Sequence, residues 1–81
     1  MTREEIFEEI VTILKDVLGT QASISRETLL EKDLAIDSLR AMEILAAVED
    51  RFDITIPINI LNEVRTVEDL VIQVEKLLSE G

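Results

Sequence analysis

The chain has 81 residues, 47 % of them hydrophobic, enough for one small core and too apolar for a disordered chain. Its 18 Asp and Glu outnumber 8 Lys and Arg, and the formal charge of −10 repels nucleic acid while favouring basic protein surfaces. With no Cys and no His, disulfides, thiolate metal sites and the common nucleophile–base pairs are excluded.

Residues 2 to 18 read as an amphipathic helix. Thr2 and Glu5 have the spacing of a capping box, and Met1 and Ile6 that of a hydrophobic staple. Ile6, Ile10, Ile13, Leu14 and Val17 recur at helical spacing, leaving Glu4, Glu8, Glu9, Lys15 and Asp16 for water. Gly19 is placed to end the helix in a left-handed conformation. Thr20 to Asp37 form a long first loop. Its Ile24, Leu29, Leu30, Leu34 and Ile36 imply that it lies over the core.

A second helix is expected from about Ser38 to Arg51, with Ala41, Ile44, Leu45, Val48 and Phe52 on its buried stripe. Leu39, Met42 and Ala46 make a second, narrower apolar edge, and Arg40, Glu43, Ala47 and Asp50 face away. Between residues 53 and 65, Ile54, Ile56, Ile58 and Ile60 alternate like a strand, but Pro57 interrupts them. The preferred reading is an extended approach to Pro57 and then a short helix around Asn59 to Glu63. Thr66 and Asp69 open a last helix whose buried stripe is Val67, Leu70, Val71, Val74, Leu77 and Leu78. The expected fold is all-α: one domain over 1–81, a small four-helix bundle of three longer helices and one short one.

No apolar run approaches the roughly 20 residues of a membrane span, and the first residues are too acidic for a secretory or transit segment. The expected protein is cytoplasmic and monomeric, without nucleic-acid binding. Catalysis is not expected. Lys15, Lys32 and Lys76 sit in charged contexts, the carboxylates read as a solvated face, and no glycine-rich phosphate loop or calcium loop is present. No metal site is expected either.

One tripeptide remains, Asp37-Ser38-Leu39, at the junction of the long loop and the second helix. Taken alone it reads as a helix cap. If Asp37 is the cap, Ser38 becomes the first helical residue with its hydroxyl turned outward. A phosphate there would lie beside the unpaired N–H groups of a helix N-terminus.

The ordered set Asp33-Leu34-Ala35-Ile36-Asp37-Ser38-Leu39, Glu43, Glu49-Asp50-Arg51-Phe52, Ile56-Pro57 and Thr66-Val67-Glu68-Asp69-Leu70 resembles the acyl carrier protein family, over about residue 28 to the end. The resemblance implies a 4′-phosphopantetheine arm on Ser38, flanked by Asp37 and Leu39, placed there from coenzyme A by a phosphopantetheinyl transferase using magnesium. It implies a carrier that is not itself an enzyme: acyl groups ride as thioesters on the arm and are presented to acyl-loading and acyl-processing enzymes with basic surfaces.

Partner contacts are expected at Arg40, Met42, Glu43, Ala46, Glu49, Asp50 and Ile58. Arg40 departs from the fatty-acid carriers, which usually have an acidic residue there, and so do the apolar and Asn residues after Ile56-Pro57. The expected role is therefore a stand-alone carrier of a specialised fatty-acid, lipid or polyketide pathway. An aminoacyl or peptidyl carrier is the alternative within the class, although Ala35-Ile36-Asp37-Ser38 lacks the Gly-Gly-x-Ser-like context. A cofactor-free acidic helical adaptor is the alternative outside it.

Overall fold

The computed structural model of the chain describes residues 1–80 and is all-helical apart from one isolated β-bridge. Helix α1 spans Arg3–Leu18, α2 Ser38–Phe52 and α3 Val67–Glu80. The short element expected before α3 is a 3-10 turn, Ile58–Asn62, so the helices number three plus this turn among the described residues. Five residues with two β-branched isoleucines, started by Pro57, support the tighter i→i+3 pattern and not a run of α-helix. The stretch from Ile54 to Pro57 is extended but pairs with no strand.

Local chemistry sets the ends. Thr2 and Glu5 form the full capping box of α1, and Gly19 closes it at φ 62° with its N–H donated to the Lys15 carbonyl. Met1 stays 68 % exposed, so the expected staple against Ile6 is not closed; Ile6 turns into the core instead. Asp53 ends α2 in the left-handed region, which a short polar side chain tolerates better than most. At the start of α3, Thr66 Oγ1 accepts from the Asp69 N–H, and Asp69 Oδ2 accepts from the N–H groups of Arg65 and Thr66. Those donors hold the Asp69 carboxyl below its ordinary pKa.

Helix α1 packs against both α2 and α3. The core is wholly apolar: Ile6, Ile10, Ile13 and Leu14 from α1, Ile44, Leu45 and Val48 from α2, and Val67, Leu70, Val71 and Val74 from α3, joined by Ile56 and Ile60. Ala47, read as facing away, is half-buried and packs against this core. Ion pairs tie the helices at the surface, Arg3 to Glu75 at 2.6 Å and Arg51 to Glu9, so Glu9 is not simply left to water. Solvent screens such exposed pairs, so each adds little to stability.

The long first loop is held to the body by its own backbone. Leu29 bridges Thr66, Leu30 N–H donates to the Arg65 carbonyl, Val67 N–H to Thr28, and Glu68 N–H to Arg26. Arg26 adds a side-chain strap: its guanidinium lies 4.7 Å from the centre of the Phe7 ring and pairs with Glu4 and Glu68. The loop thus lies along the start of α3 and delivers its last residues to the start of α2.

Candidate functional site

The delivery ends in a strained turn. Ala35 sits at φ 53°, where an L-residue costs about 1 kcal/mol, and the Ile36 N–H returns to the Leu30 carbonyl. Asp37 then caps α2, its Oδ1 accepting from the Arg40 N–H at 2.8 Å. Ser38 is therefore the first helical residue. It is exposed, and its hydroxyl has no hydrogen-bond partner among the described residues. The N–H groups of Ser38 and Leu39 are also without partners, as helix geometry requires at a first turn. An outward hydroxyl beside two free N–H donors suits a phosphate ester, because donors and dipole both favour the negative charge.

Beside Ser38 an open groove runs past Ala35, Ile36 and Ala41 to Leu61, Asn62 and Arg65, with Lys32 on its rim. Leu30, Ile36, Ala41, Leu61 and Val64 line both this groove and a smaller cavity behind it. The cavity measures about 30 Å³ and is closed off by Ile44, Leu45, Ile60 and Leu70, so its lining is entirely apolar. That volume matches about one water molecule. Nothing larger fits unless the lining side chains part.

The partner-facing residues expected from the sequence do not behave alike. Leu39, Met42 and Ile58 are exposed at 68 %, 48 % and 61 %, large apolar side chains presented to solvent. Ala46 and Asp50 are exposed beside them in sequence. Arg40 is exposed but already engaged by its own chain, donating to the Val17 carbonyl at 3.3 Å and to Glu43 at 3.2 Å. It joins the end of α1 to the start of α2 and neutralises Glu43. Glu49 is half-buried and accepts from the Ile56 N–H at 2.7 Å, which fixes the extended approach to Pro57. The acidic face of α2 is thus thinner than the sequence implies, with Asp50 its clearest free carboxylate.

Among the described residues no group of three or more carboxylates is placed to hold a metal ion. No helix is long and apolar enough to cross a membrane. Lys32 reads in the sequence only as a solvated lysine and Asn62 only as a departure after Ile56-Pro57, and Arg65 is not singled out at all. Only the backbone pairing of the loop with residues 65 to 68 brings them beside Ser38, and nothing local announces it.

Residues 8–74 match the family described as "Phosphopantetheine attachment site". The chain is 37 % identical to an acyl carrier protein of Rhodococcus erythropolis, across 99 % of this chain and 89 % of that one. It is 40 % identical to the meromycolate extension acyl carrier protein of Mycobacterium tuberculosis, across 100 % of this chain and 71 % of the relative. A solved Mycobacterium tuberculosis structure, provisionally assigned as an acyl carrier protein, superposes with a TM-score of 0.82 at 30 % identity, covering 86 % of this chain and 95 % of that one.

Proposed function

Because the chain belongs to the acyl carrier protein family, we propose that Ser38 is the residue that bears its phosphopantetheine arm. An acyl carrier is a carrier and not a catalyst, and its cofactor is 4′-phosphopantetheine. When bound, that group supplies the thiol on which acyl groups ride, so a protein without cysteine takes part in thiol chemistry. The observation that carries the assignment is the free, outward Ser38 hydroxyl at the capped start of α2.

Each neighbouring group has a part. Asp37 occupies the cap position, which leaves the Ser38 oxygen free to be esterified. In that reaction the hydroxyl gives its proton to a base of the transferase and bonds to the pantetheine-side phosphorus of coenzyme A, while the P–O bond of the pyrophosphate link breaks and adenosine bisphosphate leaves. The chain contributes no base, in keeping with its lack of His. The unpartnered Ser38 and Leu39 N–H groups would hold the phosphate of the arm. The five side chains shared by groove and cavity form the door through which an alkyl chain passes.

Family members work with acyl-processing enzymes. Here the exposed Leu39, Met42 and Ile58 offer apolar contact, and the charge of −10 favours partners with basic surfaces. The Arg40–Glu43 pair sets this face apart from a uniformly acidic one. We assign the chain to a specialised lipid pathway in the cytoplasm, acting as a monomeric carrier domain over 1–81. The similarity to meromycolate extension carriers supports the lipid assignment, and coenzyme A as the source of the arm supports the compartment.

Incubation with coenzyme A and a broad-specificity transferase tests the site by intact mass. The parent gains one phosphopantetheine, and Ser38→Ala gains none while keeping its helical circular dichroism. A gain in the Ala variant removes Ser38 as the attachment residue.

A further inference from the structure

Five arginines are present, and four of them are paired: Arg3 with Glu75, Arg26 with Glu4 and Glu68, Arg40 with Glu43, and Arg51 with Glu9. Arg65 has no ion pair among the described residues, in a chain whose carboxylates outnumber its cations more than twofold. Its main chain is fully engaged, the N–H donating to Asp69 Oδ2 at 3.0 Å and the carbonyl accepting from Leu30 at 2.9 Å. Its position is therefore fixed, and its guanidinium acts on the Asp69 carboxylate through its charge without closing an ion pair. Lys32 is also exposed and without an ion pair, and it lines the same groove as Arg65 and Ser38. The groove's two carboxylates, Glu31 and Asp37, pair with neither cation, and Asp37 is occupied by the Arg40 N–H.

Resting on the carrier reading, we infer that Arg65 and Lys32 form a subsite for an anion brought by the arm, and that the anion is the carboxylate of a carboxyacyl cargo. The arm's phosphodiester is the other source of such an anion. The unpartnered N–H groups of Ser38 and Leu39 would serve that phosphate, which leaves the rim cations for a charge further along the arm. Polarity divides two classes of cargo. A plain alkyl tail suits the apolar cavity, where a carboxylate would lose its hydration without a partner. The open groove lets a carboxylate keep water while meeting the planar donor fork of Arg65. Surface ion pairs are weak, but a tethered cargo is present at an effective concentration in the millimolar range, so a weak contact still fills.

The test uses the full chain carrying three arms on Ser38, transferred from coenzyme A, butyryl-coenzyme A and malonyl-coenzyme A. Intact mass confirms each load, and the Arg65 Nε–H resonance is followed by NMR. The expected result is a shift with the malonyl arm, absent with the free and butyryl arms and reversed by high salt. In Arg65→Gln, whose backbone bonds are retained, the amide shifts that the malonyl load causes around Lys32 and Asn62 are lost; Arg65→Lys restores part of them. An Arg65 shift already complete with the free arm overturns the cargo assignment in favour of the phosphodiester. No Arg65 shift in confirmed loaded protein overturns the subsite and leaves the carrier reading standing. Failure to gain mass with any donor overturns the carrier reading, and the subsite with it.

Discussion

Helix α3 buries Val67, Val71 and Val74 completely, whereas the wall between α2 and the 3-10 turn is left with a cavity lined by Ala41, Ile44, Leu45, Ile60 and Leu61. Both regions draw on the same kinds of side chain, so composition does not separate them. Backbone geometry does. A regular helix turns its β-branched residues into one continuous ridge. The five-residue 3-10 turn after Pro57 spends Ile58 on solvent and sends only Ile60 fully inward. The lesson is that a bundle this small can keep a firm side for stability and a yielding side, and Ser38, the residue proposed to bear the arm, stands beside the yielding one.

The comparison breaks most directly by truncation. Leu14→Ala, at a site with no solvent exposure, is expected to cost about 2–5 kcal/mol. Leu61→Ala, in the half-buried cavity wall, is expected to cost about 1–2 kcal/mol, because much of that side chain's surface is already outside close packing. Urea titrations of the two variants decide it; equal losses would remove the distinction between the sides.

A smaller effect sharpens the account of how the loop reaches the site. Arg26→Ala removes the contact with Phe7 and the pairs with Glu4 and Glu68. A loss of about 1–2 kcal/mol is expected, with faster amide exchange at Leu30 and Val67, whose N–H groups close the loop pairing.

The smallest expected effect depends on pH. The Arg65 and Thr66 N–H donors lower the Asp69 pKa from its ordinary 3.8, so the unfolded chain binds that proton more readily. The Asp69 contribution is complete above about pH 4 and disappears as pH falls through the lower folded-state value. Asp69→Ala is therefore expected to cost about 1 kcal/mol near neutrality, and the gap to the parent to narrow in acid. Comparing the two chains cancels most of the self-repulsion they share. A gap that widens on acidification would contradict the sign.

Much of the molecule is legible in its sequence. Helix periodicity placed all three α-helices, and the Thr2–Glu5 and Thr66–Asp69 spacings gave their caps because those interactions reach only three residues. The same local logic put Asp37 in the cap and left the Ser38 hydroxyl outward. What escaped was set by contacts distant in sequence. Glu49 reads as part of an acidic face until the chain returns and offers it the Ile56 N–H. Arg40 reads as a free charge until α1 brings it the Val17 carbonyl. The pairing of residues 26 to 30 with 65 to 68 uses backbone groups, which every sequence carries alike. The short element was placed within a residue or two, although as a helix and not as a 3-10 turn.

The most direct test of the central claim is to place an octanoyl arm on Ser38 and follow side-chain methyl groups by NMR against the protein bearing the free arm. Ile44, Leu45, Ile60 and Leu61 are expected to shift as the chain parts the cavity wall, while Val67, Val71 and Val74 hold their positions. Shifts spread evenly over both groups, or absent from the cavity wall, would contradict a bundle with one firm and one yielding side.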